Sequence, residues 1–314
     1  MVVRFVAVRP IDPFTQGETT LPSRDAEADR GDMGQAAAHP LVVGYDGSAD
    51  SERALTWAIA AAKLRRRPLR LVAVLDYGAP EWLPDRVEEA RSRAAEELSN
   101  VGDQPGGLTL TVLKPRREEP THALLRLSED AHLVVVGARG HGALAGMLIG
   151  SVSQHLGRHA ECPVVVVREP HDETANRIVV GHDYSPGSEV ALDYAFDAAE
   201  RTGASLVVVH GWRHSTAGAV GVAVPLASDI ADEIGTRQTE LREALSGWID
   251  KHPGVDVHWE AIPLHPTRVL TDASEQAALV VVGSRGRGAF AAMLLGSVSM
   301  GVLHHAHCPV AIAR

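Results

Sequence analysis

The chain has 314 residues, and its 30 basic and 40 acidic side chains give a formal net charge of −10 at pH 7. This balance argues against a protein that coats nucleic acid, because such a protein needs net positive charge on its binding face. Two cysteines do not make a disulfide framework and no apolar run is long enough to span a membrane, so we expect a cytoplasmic protein whose partners are neither nucleic acid nor membrane.

We predict that residues 1–39 form a flexible tail. Met1–Phe14 carry Arg4 and Arg9 among scattered valines, without the continuous apolar segment of a signal peptide. Residues 15–39 are small and polar, with charges of both signs and no apolar period, which is typical of a segment without a core of its own.

After the tail the sequence repeats itself, which is its most informative property. Leu41–Ser48, LVVGYDGS, matches Ile178–Ser185, IVVGHDYS, at an offset of 137 residues. Leu133–Gly137 matches Leu279–Gly283 at an offset of 146, so the second copy carries about nine more residues between these points. We expect the extra residues in a loop at 214–228.

Strand and helix signals alternate in each copy. Nearly continuous apolar runs, typical of strands buried on both faces, predict strands at 40–45, 70–76, 108–114, 132–137 and 163–168, and at 177–182, 204–210, 255–260, 277–283 and 308–313. Helices are predicted at about 50–64, 83–100, 119–130 and 151–160, and at 187–201, 227–251, 266–275 and 297–306. Ser48 or Asp50 suits the start of the first helix, and Pro120 that of the third.

This alternation predicts an α/β fold of two tandem doubly wound domains, at residues 40–169 and 176–314, each with a five-stranded parallel sheet. Their last strands, Val164–Val167 and Val310–Ala313, leave edges that need cover. We therefore expect the two halves to pair through these strands, within one chain or between chains.

A glycine pattern follows the fourth strand of each copy. It has the form Gly-x2-Gly-x9-Gly-Ser and occurs at Gly137, Gly140, Gly150 and Ser151, and again at Gly283, Gly286, Gly296 and Ser297. Glycines let backbone N–H groups approach phosphate oxygens, and a helix that begins at the closing serine directs its free N–H groups to the same place. Ser151 and Ser153 add hydroxyl donors in that first helical turn. The pattern predicts a phosphate site in each copy.

A carboxylate ends the first strand of each copy, at Asp46 and Asp183. Both lie next to the expected position of the fourth strand, where an open α/β sheet binds its ligands. A carboxylate does not favour a triphosphate, but it accepts hydrogen bonds from a ribose or a base. We therefore expect the nucleoside end of a nucleotide at these residues.

Together these features resemble the universal stress protein family, over residues 40–314. The resemblance rests on the glycine pattern in both copies, the Val-Gly-x-Asp-x-Ser opening, and the Cys-Pro-Val ending at Cys162 and Cys308. It implies binding of ATP, which Mg²⁺ can accompany, a 3-2-1-4-5 strand order, and dimer-like pairing of domains through their last strands. It also implies a stress or dormancy regulator that binds two adenine nucleotides per chain, forms a homodimer and acts on a protein partner that the sequence does not identify.

The resemblance assigns the binding residues position by position. In the first copy Asp46 meets the adenosine end and Val74 touches the adenine. The residues expected around its ribose and phosphates are Gly137, Arg139, Gly140, Gly150, Ser151, Val152 and Ser153. The matching residues of the second copy are Asp183, Gly283, Arg285, Gly286, Gly296, Ser297, Val298 and Ser299.

The second copy departs from the first in three places. Gly211 stands where the first copy has Val74, so we expect its adenine pocket to lack one apolar wall. Tyr184 replaces the glycine after the first-strand carboxylate, and Arg287 replaces His141 in the loop. These departures predict a weaker second site with different phosphate electrostatics.

An enzyme on the same fold, such as a slow ATPase, is the alternative to a regulator. Hydrolysis needs a placed base or a metal-held water. No carboxylate lies between Gly137 and Ser153, and the only one expected nearby is Asp46, which the nucleoside would occupy. No Gly-x4-Gly-Lys-Ser/Thr pattern is present either. We therefore assign no catalytic residue and favour the regulator.

Overall fold

The structure is a computed structural model, described for residues 39–74, 82–99, 108–113, 119–141, 148–170, 172–212, 227–287 and 294–314. The predicted tail lies outside these residues except for His39, and so does the predicted loop at 214–228 except for its last two residues. Within the described ranges, none of the helices combines the length and the apolar composition that crossing a bilayer requires.

Strands and helices alternate as the sequence predicts, with bounds that differ by at most two residues. The first half contains β1 Leu41–Tyr45, α1 Ala49–Arg65, β2 Leu69–Val74, α2 Leu83–Ser99, β3 Leu108–Leu113, α3 Pro120–Ser128, β4 Leu133–Gly137, α4 Ser151–His159 and β5 Val164–Val167. The second contains β6 Arg177–Gly181, α5 Pro186–Thr202, β7 Ser205–Gly211, α6 Ala227–Lys251, β8 Val257–Ile262, α7 Pro266–Ser274, β9 Leu279–Gly283, α8 Ser297–His305 and β10 Val310–Ala313.

All ten strands form one sheet, in the order β3-β2-β1-β4-β5-β10-β9-β6-β7-β8. Within each half the neighbouring strands are parallel, and counted along each half separately their order is 3-2-1-4-5. The α/β fold class is therefore confirmed. In both halves the first and fourth strands lie side by side, so the residues that follow them meet at one end of the sheet.

Helices cover both faces of this sheet. On one face α1, α2, α5 and α6 bury large side chains such as Leu55, Phe196 and Leu241 against the strands. On the other face α3, α4, α7 and α8 do the same, with Leu156 and Leu303 among their buried residues. Strand residues alternate between the two cores, which is why the strands read as continuous apolar runs.

The two halves join through β5 and β10, which pair antiparallel with Val166 opposite Val310 and Val164 opposite Ile312. The expected pairing of the last strands is therefore confirmed, and it occurs within one chain. Each sheet edge covers the other, so the central join leaves no unpaired strand.

Two arginines that follow the paired strands reach across the join. Arg168, just after β5, donates from Nη1 to the carbonyl of Ala306 at 2.8 Å and from Nη2 to that of Leu303, at the C-terminal end of α8. Arg314, just after β10, donates in the same way to carbonyls of α4, including that of Gly157. Each guanidinium thus donates to carbonyls of the last turn of a helix, and its charge suits the negative end of the helix dipole.

We predict that Arg168→Ala lowers the free energy of unfolding by about 1–3 kcal/mol, because the end of α8 loses a charged donor to two carbonyls. Urea denaturation followed by circular dichroism measures this. The matched control is Arg242→Ala, an exposed arginine of α6, with an expected change below about 0.5 kcal/mol. Equal losses in the two variants would mean that the cross-join cap contributes nothing.

Candidate functional site

The carboxylate that follows β1 holds the glycine loop that follows β4. Asp46 Oδ1 accepts from the backbone N–H of Ser48 at 3.0 Å, and Oδ2 accepts from that of His141 at 3.2 Å. A Cβ added to Gly140 would lie 2.4 Å from Asp46 Oδ2. The second glycine of the pattern is therefore the residue that lets the carboxylate approach the loop backbone.

The second half repeats this arrangement. Asp183 Oδ1 accepts from the N–H of Ser185 at 3.1 Å, and Oδ2 accepts from that of Arg287 at 3.0 Å. A Cβ at Gly286 would again lie 2.4 Å from the carboxylate. The same contact, between residues about one hundred positions apart, therefore holds the described start of each loop in the same way.

Both carboxylates are charged at neutral pH. Burial raises the pKa of Asp46, but hydrogen bonds donated by Ser48, Ser51 and the backbone of His141 outweigh it and hold the pKa below its usual value. Asp183 has a lowered pKa by the same balance of burial against donated hydrogen bonds. Since the loop backbone already occupies these oxygens, only their remaining lone pairs are open to a ligand.

The first glycine of the pattern permits close packing of a helix on the sheet. A Cβ at Gly137 would lie 2.6 Å from the backbone carbon of Asp50, in the first turn of α1, and one at Gly283 would lie 2.3 Å from the carbonyl oxygen of Gly187 in α5. These helices begin at Ser48 and Ser185, whose side chains accept from the N–H three residues later. The first two glycines of each pattern therefore serve the protein itself.

The third glycine behaves differently. A Cβ at Gly150 would find no atom closer than 3.4 Å, and one at Gly296 none closer than 3.6 Å, so the fold leaves room for a side chain at both. Both are helix N-caps in extended conformation and supply no side-chain cap to α4 or α8. Ser, Thr, Asp and Asn are preferred at such positions because they satisfy free N–H groups. Glycine there leaves the positive end of the helix open.

The serines of these helices divide between surface and core. Ser151 and Ser297 are exposed at the first helical position. The hydroxyl of Ser153 is buried and donates to the carbonyl of Gly137 at 2.6 Å, and that of Ser299 donates to Gly283 at the same distance. These two hydroxyls hold helix to strand, so the expectation that they donate to a ligand does not agree with the structure. Val152 and Val298 are partly buried against the core.

A buried carboxylate that the sequence did not assign to the site binds the first loop. Asp50 is 4 % exposed, and its Oδ2 accepts from both the backbone N–H and Nε of Arg139, at 3.1 and 3.2 Å. The expectation that Asp46 is the only carboxylate near the loop is therefore wrong. The repeat held a signal for this residue, because it aligns Asp50 with Gly187 and so shows a carboxylate that the second half does not have at this position.

Aromatic rings lie beside both loops but come from different elements. In the first half a Cβ at Gly47 would lie 2.8 Å from the ring of Trp82, which also lies 5.0 Å from the His141 ring between centroids. In the second half Tyr184 adopts the left-handed φ of 61° at the Gly47 position, and the guanidinium of Arg287 lies 5.8 Å from its ring centroid. Sequence reasoning missed Trp82, because it lies outside every repeated motif.

Further rings fill the second half beside Tyr184. The Tyr184 centroid lies 4.8 Å from that of His182 and 5.0 Å from that of His210, whose ring lies 5.8 Å from Trp212. His210 Nδ1 bonds the carbonyl of His182 at 2.8 Å, while its Nε2, Trp212 Nε1 and the Tyr184 hydroxyl are buried without partners among the described residues.

The space beside Gly211, where we expected the second adenine pocket to lack an apolar wall, is filled. A Cβ there would lie 2.7 Å from Pro266 Cα and 3.2 Å from the carbonyl oxygen of Leu264, so the start of α7 occupies the space. This reason for a weaker second site is therefore wrong. Val74, its counterpart, ends β2, and its side chain lies outside the described part of the structure.

A cavity of about 1120 Å³ lies between the first loop and helices α7 and α8, and four histidines and three arginines contribute to its lining. Its arginines are already engaged, since Arg139 binds Asp50, Arg268 binds Asp272 and Arg168 caps α8. The cavity therefore offers little unopposed positive charge. In the part of the chain that the structure describes, no group of three or more histidine, cysteine or acidic side chains is arranged to hold a metal ion.

Comparison with known proteins agrees with this architecture. The family model for the universal stress protein family matches residues 38–168 and 174–314. A universal stress protein of Mycolicibacterium smegmatis is 37 % identical over 295 residues, which cover 89 % of this chain and 98 % of the relative. One of Mycobacterium tuberculosis is 36 % identical over 291 residues, covering 88 % and 97 %. The chain therefore belongs to the universal stress protein family.

A solved structure shares the fold. The crystal structure of a universal stress protein from Archaeoglobus fulgidus aligns with a TM-score of 0.59 at 20 % identity, over 88 % of this chain and 96 % of that one. At this identity the likeness concerns the architecture alone.

The geometry predicts opposite outcomes for two glycines of one pattern. Gly140→Ala places a Cβ against Asp46 Oδ2, so we expect a loss of about 2 kcal/mol or more in the free energy of unfolding. Gly150→Asp introduces a preferred N-cap into open space and should stay within about 0.5 kcal/mol of the parent, or gain stability. Denaturant titration measures both, and similar losses would refute these assignments.

The lowered pKa of Asp46 predicts a pH-dependent contribution to stability. The carboxylate stabilises the folded chain fully above its unfolded-state pKa of about 4, and the contribution is lost as the pH falls through the lower folded-state value. The stability deficit of Asp46→Asn should thus be constant between about pH 5 and 7 and shrink below about pH 4. Asp232→Asn, an exposed control on α6, should show no such trend. A deficit that grows on acidification contradicts the assignment.

Proposed function

We propose that this cytoplasmic member of the universal stress protein family binds adenine nucleotides, ATP foremost, at one site in each half, and regulates a stress or dormancy response through nucleotide-dependent conformation or partner binding. The binding units are the two domains at 40–169 and 176–314. A homodimer would need a surface other than the last strands, because β5 and β10 already pair within the chain.

The open N-termini of α4 and α8 carry this proposal. Each helix begins at a glycine that tolerates a Cβ but has none, and no side chain among the described residues caps its first N–H groups. A protein that needed only a stable helix would gain from serine or aspartate there. A phosphate group needs the opposite: unobstructed N–H groups and the positive end of the dipole.

The neighbouring groups suit the rest of a nucleotide. Asp46 and Asp183 bind the loops that lead to these helices and have lone pairs left for a ribose hydroxyl. Gly137, Gly140, Gly283 and Gly286 keep the loop backbone against those carboxylates and the adjoining helices, so the site is held in shape before a ligand arrives. Any Mg²⁺ would enter with the phosphates.

The hydrogen bonds of the carboxylates favour a regulator over an ATPase. Asp46 accepts through both oxygens from backbone N–H groups, and Asp50 accepts from Arg53 and Arg139. A general base must have a lone pair directed at its water and a pKa near the working pH, whereas hydrogen bonds lower the pKa of Asp46. Slow ATP hydrolysis is the alternative, and an assay for released ADP under saturating ATP distinguishes the two.

We predict that Gly150→Asp abolishes ATP binding in the first half. The new carboxylate caps the N–H groups that the phosphates would use and repels their charge. Isothermal titration calorimetry should find two ATP sites on the parent, one on Gly150→Asp, one on the matched Gly296→Asp and none on the double variant. Losing even one or two charge-assisted hydrogen bonds corresponds to about tenfold or more in affinity.

Melting curves provide the control, since both variants should melt at or above the parent temperature. If the folded double variant still binds ATP with parental affinity, the glycines serve only the loop and the proposal fails.

A further inference from the structure

The charge of the first loop is balanced within the protein. Asp50 accepts from Arg139 through Oδ2, and its Oδ1 accepts from Arg53 Nη1 at 2.8 Å. Arg53 in turn binds Glu169 at 3.0 Å. The guanidinium of Arg139 therefore has a buried carboxylate as its partner, and little of its charge acts on a ligand.

The second loop has no such partner. Gly187 takes the position of Asp50, and a Cβ there would lie 2.1 Å from the carbonyl oxygen of Arg285, so no carboxylate fits. Arg285 is exposed, and among the described residues no hydrogen bond or ion pair joins its guanidinium to another side chain. Arg287 adds a second guanidinium where the first loop has His141, and an arginine is charged at every physiological pH, which a histidine is not.

The two loops consequently differ in charge. Beside the first loop the carboxylates of Asp46, Asp50 and Glu169 balance the guanidinium groups of Arg139 and Arg53. Among the described residues the second loop combines the one carboxylate of Asp183 with the guanidinium groups of Arg285 and Arg287. The open helix end that both share adds the same partial positive charge to each. A chain of phosphates is therefore attracted more strongly to the second loop.

The region beside the first-strand carboxylate also differs between the halves, in which aromatic rings lie there. In the second half the rings of Tyr184 and His210 pack together next to Asp183, with centroids 5.0 Å apart. At the equivalent positions the first half has Gly47 and Ala73. Two rings fewer originate there, and the ring beside Gly47 is instead that of Trp82, which is 40 % exposed. The first half therefore presents an accessible aromatic face, on which the base of a nucleoside can stack, at this end of the sheet.

We infer that the two sites recognise different parts of the nucleotide. The second site recognises the polyphosphate and discriminates strongly between ATP and AMP, while the first site binds through the nucleoside and discriminates little between them. This rests on the proposed function, because it assumes that both loops bind nucleotides. Arg285 and Arg287 are then specificity-determining residues of the second site.

Calorimetry on the full chain with one site closed tests this. Gly150→Asp leaves only the second site open and Gly296→Asp only the first, and each chain is titrated with ATP and with AMP. We expect the ratio of ATP to AMP affinity to be about tenfold or more larger at the second site. Raising the salt concentration should also weaken ATP binding more steeply there.

Matched arginine variants identify the cause. In the chain with only the second site, Arg285→Gln should weaken ATP binding about tenfold and AMP binding less than about threefold. In the chain with only the first site, Arg139→Gln should weaken ATP binding less than about threefold, because that guanidinium is bound through Nε to Asp50 and not to the phosphates. Melting curves show that each variant is folded.

The outcomes separate the two proposals. Equal ATP to AMP ratios at the two sites, or an equal loss from Arg139→Gln and Arg285→Gln, would overturn the division of roles while leaving nucleotide binding in place. If neither single-site chain binds ATP or AMP, the proposed function fails, and the inference fails with it.

Discussion

The contact between a first-strand carboxylate and a glycine of the loop after the fourth strand underlies the rest of the site. Asp46 and Asp183 each bind the loop backbone from a neighbouring strand, and this is possible only because Gly140 and Gly286 have no Cβ. The bonds are formed by charged acceptors that donated hydrogen bonds keep ionised in spite of their burial. They place the loop, and with it the open helix end, at the carboxyl ends of the parallel strands.

The join between the halves links the two sites. Arg168 follows β5, the neighbour of the strand that leads into the first loop, and caps the C-terminal end of α8, whose N-terminal end belongs to the second site. Arg314 makes the reverse connection from β10 to α4. With β5 and β10 also paired, each candidate phosphate helix is held at one end by its own loop and at the other end by the opposite half.

Much of the fold could be predicted because it depends on local and periodic signals. Apolar runs such as Val164–Val167 are typical of strands buried on both faces, and the repeat showed the same order of elements twice. Helix starts at Ser48 and Pro120 followed from residue type, because capping and a fixed φ act within one turn. Signals of this kind need no knowledge of distant contacts.

The site was predictable in outline only. The glycine pattern identified its loops, and the repeat placed Asp46 near them, but the roles of individual groups depend on residues far apart in the chain. The pairing of Asp50 with Arg139, the use of the Ser153 hydroxyl by Gly137, and the closure of the Gly211 position by Pro266 all arise across elements.

The family, the α/β class, the two copies and the position of both loops could be read from the chain alone, because these follow from periodicity and spacing along it. Which charges remain free to act on a ligand is set by contacts that form only in the folded protein. That depends on which groups meet when strands four and one become neighbours. In the first half the carboxylate of Asp50 binds Arg139, whereas in the second the backbone carbonyl of Arg285 leaves no room for a side chain at the equivalent Gly187. Two copies of one motif can therefore differ in the field they present, since electrostatic interactions depend on distances in space and on burial.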